Sequence, residues 1–120
     1  MVEESGEQSQ LSRHEYWEST FNLELNNFKD HGDDGEVWFG KDVQKKTVNY
    51  ILGRFTSTES LSLLDVGTGN GALLFKLAKK DFKGKLKGID YSEASIQLSC
   101  AIQAYLAEQH EDRAEVINAI

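Results

Sequence analysis

The residues best able to do chemistry are concentrated in one heptapeptide, Asp65-Val66-Gly67-Thr68-Gly69-Asn70-Gly71. Three glycines at alternate positions let the backbone turn sharply out of a strand and leave room for a ligand against it, with the first amides of the next helix exposed. A side chain at Gly67 or Gly69 is expected to occupy the ligand's place. The spacing is G-x-G-x-G, which departs from the G-x-G-x-x-G of dinucleotide sites, and no Gly-Lys-Ser/Thr follows to make a phosphate-binding P-loop. Asp90 stands 19 residues beyond Gly71, at the end of the next apolar run. A carboxylate there is an acceptor-only group that can take hydrogen bonds from both hydroxyls of a ribose. Strand, glycine loop, helix, strand and acid, in that order, point to a nucleoside ligand rather than to a merely structural turn.

Other chemistries find little support. The three histidines, His14, His31 and His110, are far apart and the single Cys100 does not join them at ligand spacing, so no metal site is expected. A lone thiol fits a reducing compartment, and the acidic start MVEESGEQSQ lacks the apolar core of a secretory signal; cytosol is the expected location, with the nucleus left open. No run approaches the roughly 20 apolar residues of a membrane span. The 120 residues carry a net charge of -7, spread unevenly: residues 1–40 sum to -8, residues 41–90 to +5 and residues 91–120 to -4. An acidic chain has no long-range attraction for phosphates, and the lysine cluster from Lys76 to Lys87 interleaves only Phe82, so nucleic acid is not an expected partner. A basic protein suits the acidic ends better.

These residues need elements to hold them. Residues 1–11 read as an acidic, flexible tail and residues 12–55 as a helical lid segment. Ser12-Arg13-His14-Glu15 has the form of a capping box. Trp17, Phe21, Leu25 and Phe28 then share one helical face until Gly32 stops the helix. Trp17 on that stripe reads as core, whereas Trp38, in the loop of GEVWFG (Gly35 to Gly40), is a candidate to close over a site. Asp42 opens a second helix with Val43, Thr47, Val48, Ile51, Leu52 and Phe55 inward. From residue 56 to 120 the period changes. SLLDV (Ser62 to Val66) reads as a buried parallel strand, ALLFKLAKK as a helix burying Leu73, Leu74, Leu77 and Ala78, and KLKGI (Lys85 to Ile89) as a second strand. Ser92 can cap a further helix with Ala94, Leu98, Ala101, Ile102 and Tyr105 inward and Cys100 off the stripe. The expected architecture is a right-handed crossover unit of a doubly wound α/β sheet, with its ligand at the carboxyl ends of the strands.

LLDVGTGNG and the later GIDYS resemble the first and second motifs of the seven-strand, class I S-adenosylmethionine-dependent methyltransferases. With HEYW, GEVWFG and GIDYSEASIQLS added, residues 12–100 resemble the eukaryotic lysine methyltransferases that modify translation elongation factor 1-alpha. The resemblance implies a Rossmann-like methyltransferase fold, of which this is the amino-terminal part preceded by two helices, with S-adenosyl-L-methionine as cofactor. It also implies that Gly67, Thr68, Gly69 and Gly71 line the methionine end, that Asp65 braces the loop, that Asp90 holds the ribose, and that Tyr91 lies beside the adenine. Packing at a helix entry is an equally good reading of Tyr91. The implied reaction is attack of a neutral lysine amine on the cofactor's methyl group, with elongation factor 1-alpha as protein partner and no residue that can be named as base.

The sequence also departs from that pattern. A complete fold of this class has about seven strands, and the stretch that would supply the third, EDRAEVINAI, places no acid after Val116 and Ile117. A truncated, inactive isoform that keeps binding or interaction surfaces therefore stands as the alternative to an active methyltransferase, and the 120-residue chain by itself is expected to be marginally stable or to associate with itself, and to transfer no methyl group. A nicotinamide-dependent oxidoreductase is disfavoured by the G-x-G-x-G spacing and by GEVWFG.

Overall fold

The computed structural model describes residues 13–32, 35, 39–109 and 116–118. The elements run α1 (His14–His31), α2 (Lys41–Arg54), β1 (Ser62–Val66), α3 (Ala72–Lys79), β2 (Lys85–Ile89), α4 (Glu93–Gln109) and β3 (Val116–Asn118). The three strands are parallel and ordered β1-β2-β3. Ser62 pairs with Lys85 and Val66 with Ile89, while Leu86 to Gly88 pair with Val116 to Asn118. This is part of a Rossmann-like α/β fold preceded by two helices, as the motif order implies.

The carboxyl end of α1 forms as its sequence dictates: Gly32 takes a left-handed conformation (φ 73°) and its N–H donates to Phe28 O at 2.8 Å. The expected capping box falls partly outside the described residues. Arg13 is the residue preceding the helix, it makes no side-chain cap, and Ser12 lies outside the described residues. Glu15 instead sits in the first turn, where a negative charge favours the helix dipole. Likewise α2 begins at Lys41 after Gly40 without a side-chain cap, and Asp42 supports it from within the first turn.

Two apolar clusters hold the layers together. In one, Val48 of α2 meets Leu74, Leu77 and Ala78 of α3 with Phe82 and Leu86. In the other, Phe21 and Leu25 of α1 meet Ala94, Leu98 and Ile102 of α4. Phe75 touches both. The expected stripe of α2 is narrower than its pattern: Val48, Ile51 and Leu52 face the core, but Val43 and Phe55 are exposed and Gln44 is buried in their place. Tyr105 is also exposed, its ring edge-on to Phe28.

The sheet is covered on one side only among the described residues. Leu63 and Leu86, paired in register, face the helices. The alternate positions face away, leaving Leu64 55% and Val66 73% exposed beside exposed Lys85 and Lys87. Among the described residues no helix is long and apolar enough to cross a membrane.

Candidate functional site

The glycine loop leaves β1 and is tied at once to the end of β2: the N–H groups of Gly67 and Thr68 both donate to Ile89 O, at 2.8 and 3.0 Å. The Gly69 N–H donates to Asp90 Oδ2 at 2.9 Å, and the same carboxylate's Oδ1 accepts the Ser92 N–H at 2.9 Å. Asp90 therefore links the loop to the start of α4. From the other side the wholly buried Ser99 hydroxyl donates to Gly69 O at 2.9 Å, one turn beyond the equally buried Ser95. Asn70 Oδ1 accepts the Ala72 N–H at 3.1 Å and so helps start α3.

Gly69 has φ 60°, and an added Cβ would lie 3.3 Å from the Phe21 ring of α1. The expected reason for glycine there was ligand space; the structure adds that α1 packs directly on it. Gly67 (φ 77°) has nothing within 4 Å of such a Cβ and opens onto the cavity. Gly88 carries no special φ, but a Cβ on it would come within 2.7 Å of the Thr68 side chain, which lies across the strand.

A cavity of about 650 Å³ lies at the carboxyl ends of β1 and β2. Of the seven residues singled out from the sequence, Asp65, Gly67, Thr68, Gly69, Asp90 and Tyr91 border it. Gly71 does not; its N–H turns back to Thr68 O at 2.9 Å and it shapes the entry to α3. Asp90 braces the loop through the Gly69 N–H, and Asp65 lies against it beside the Thr68 hydroxyl. Burial pushes the Asp65 carboxyl above its ordinary range. The nearby Thr68 hydroxyl opposes that shift only in part, lying close to the carboxylate without a hydrogen bond of good geometry, and the Asp90 charge adds to the rise.

Aromatic groups form the opposite wall. Trp17 and Phe21 stack with centroids 5.7 Å apart, and both border the cavity with Phe39. Trp17 thus serves core and cavity together, which corrects its reading as core alone. Trp38 lies outside the described residues. Tyr91 is 56% exposed, with its ring centroid 4.6 Å from that of His14. His14, Glu18 and Ser99 escaped the sequence reading because each acts across the fold, and no local spacing announces such a partner. Among the described residues no group of acids, histidines and cysteines is placed to hold a metal.

The residues fit a nucleoside bearing a positive charge: an apolar wall, two carboxylates and a glycine loop with open backbone. Comparison with known proteins agrees. Residues 57–113 match a methyltransferase domain family. The chain is 40% identical over 99 residues to the protein-lysine N-methyltransferase EFM4 of Saccharomyces cerevisiae, covering 78% of this chain and 43% of that protein. It is 40% identical to EEF1A lysine methyltransferase 2 of Danio rerio and 39% to that of Homo sapiens, each over 78% of this chain and 40% and 39% of theirs. The chain spans about two fifths of the length of these relatives. Over most of its length the chain is thus similar to protein-lysine methyltransferases, and residues 57–113 carry the match to a methyltransferase domain.

Proposed function

We propose that this chain supplies the cofactor-binding part of an S-adenosylmethionine-dependent protein-lysine methyltransferase acting on translation elongation factor 1-alpha. The observation that carries the reading is the single cavity joining the glycine loop after β1 to Asp90 after β2. Bound there, S-adenosylmethionine would supply a methyl group activated by a sulfonium charge. Asp90 would hold the ribose through the lone pairs not already given to Gly69 and Ser92, since a carboxylate has about four acceptor sites. Tyr91 offers its ring at the same end, and the open backbone at Gly67 leaves space for the methionine portion. Asp65 places a second negative charge against the cationic ligand. A lysine amine must be neutral to react, and a wall of Trp17 and Phe21 that excludes water disfavours the ammonium form. Cytosol is the expected location.

Calorimetric titration of the chain with S-adenosylmethionine tests the site, and unchanged affinity in both Asp90→Ala and Gly67→Val removes the assignment. Incubation with labelled cofactor and purified elongation factor 1-alpha tests the substrate. Label on lysine of that factor supports the reading; label only on nucleic acid or small molecules from an extract overturns it.

A further inference from the structure

α1 lies along the cavity and is fastened to the segment that carries the nucleoside-side residues. The His14 Nε2 atom is 2.9 Å from Tyr91 O, and the imidazole ring packs on the Tyr91 ring. A carbonyl only accepts, so Nε2 carries the proton in this contact. One turn further, Glu18 Oε2 accepts the Ala94 N–H at 3.3 Å. That amide is one of the orphan donors at the start of α4; Ser92 Oγ takes the Ser95 N–H at 3.1 Å, and the carboxylate arriving from α1 takes the Ala94 N–H. Glu18 Oε1 is buried without a hydrogen-bond partner and lies 3.8 Å from His14 Nε2, which brings the two tethers side by side on α1. The next turn of α1 seats Phe21 on Gly69. Tyr91 and Asp90 border the cavity, whereas His14 and Glu18 do not.

We propose that His14 and Glu18 are positioning residues: together they latch α1 onto residues 90–94, fix the Tyr91 ring and the Asp90 carboxylate in their ligand-facing arrangement, and set how long the cofactor stays bound. The proposal rests on the reading of the cavity as a cofactor site. Its physical basis is that the half-exposed Tyr91 ring packs on the imidazole while the Tyr91 carbonyl pairs with the Nε2 atom of the same group. Release of either tether lets the 90–94 segment exchange between arrangements, which speeds dissociation while the turn from β1 into α3 stays in place.

Four variants separate the latch from general stability. His14→Phe keeps the ring against Tyr91 and loses the donor; His14→Gln keeps a donor and loses the ring. Glu18→Ala removes the cap of α4, and Glu18→Gln retains an acceptor. Dissociation of S-adenosylhomocysteine, followed by stopped-flow fluorescence on the 120-residue chain, is expected to speed up about fivefold in His14→Phe and Glu18→Ala, the scale of one lost hydrogen bond, with partial recovery in the Gln variants. A purely structural defect would lower the amplitude of binding and leave the dissociation rate of the bound fraction unchanged. Amide hydrogen exchange without ligand supplies an independent arm: Ala94 should lose protection in Glu18→Ala, and Tyr91 to Ala94 in His14→Phe. Unchanged dissociation rates, or unchanged exchange in both variants, overturn the latch. Failure of the unmutated chain to bind S-adenosylhomocysteine overturns the cofactor reading instead, and with it the effect on residence, while the exchange arm still decides whether the tether exists.

Discussion

Asp90 does two jobs with one carboxylate, since both oxygens accept backbone amides and the group also borders the cavity. Asp90→Ala should therefore weaken cofactor binding by about 1.5–3 kcal/mol and also destabilise the chain by about 1–3 kcal/mol, because two partly buried N–H groups lose their acceptor. Asp90→Asn leaves one acceptor and should recover part of the stability but little of the affinity. Paired calorimetry and thermal unfolding check this, and an Asp90→Ala chain of unchanged stability would show that the two amides find other partners. Asp65 is the opposite case. Its carboxyl titrates above the ordinary range chiefly because it is buried, so the folded chain binds that proton more tightly than the unfolded chain does. The stability it contributes is present below the unfolded pKa of about 3.9 and is lost as pH rises through the higher folded value. Asp65→Asn is accordingly expected to raise the melting temperature at pH 7, with the gain vanishing towards pH 3, while cofactor affinity falls for want of a negative charge. Equal melting curves at pH 7 would contradict it.

At the scale of elements, two glycines of similar sequence context are predicted to respond with opposite sign. Gly88 of β2 lies under Thr68, whose Cβ, Cγ2 and Oγ1 would all sit 2.7 Å from an added methyl group. A β-branched side chain cannot swing clear, so Gly88→Ala should displace the glycine loop, cost about 1–3 kcal/mol and weaken ligand binding. Gly53 of α2 has nothing within 4 Å and an ordinary helical backbone. Gly53→Ala should stabilise the chain by about 0.4–1 kcal/mol. Urea unfolding of both variants distinguishes them. The strands were readable from sequence: SLLDV and KLKGI form β1 and β2 residue for residue, because short apolar runs bounded by turn residues have few other solutions. The glycine loop, the acid after β2 and the Ser92 cap were equally legible, being local patterns. Helix starts were not. α2 lacks the side-chain cap its residues suggest, since tertiary packing of Val48 holds it without one, and the Ser12 candidate before α1 lies outside the described residues. The role of Ser99 was hidden for a related reason: a small polar residue among buried apolar and serine side chains shows its purpose only when Gly69 is seen beside it.

At the scale of the whole molecule, the one-sided sheet decides the solution behaviour of the 120-residue chain. A parallel sheet is ordinarily covered on both faces, and here Leu64 and Val66 point away from every described helix. Within the described sheet β1 also has a strand neighbour on one side only, so its other edge carries unpaired backbone donors and acceptors beside the exposed apolar side chains. Burying such a side chain fully is worth about 1.5–3 kcal/mol, enough for two of them on each of two copies to drive weak self-association. Lys85 and Lys87 flank the same surface and repel their counterparts in a second copy. The expectation is therefore association at micromolar to millimolar concentration that strengthens with added salt, as screening removes the lysine repulsion and leaves apolar burial intact. Leu64→Lys combined with Val66→Lys should return the chain to monomer without disturbing Leu63 or Leu86 on the helix-covered face. Sedimentation velocity over a range of concentration and ionic strength tests the prediction, and a chain that stays monomeric at high concentration and high salt would show that this face is satisfied in another way.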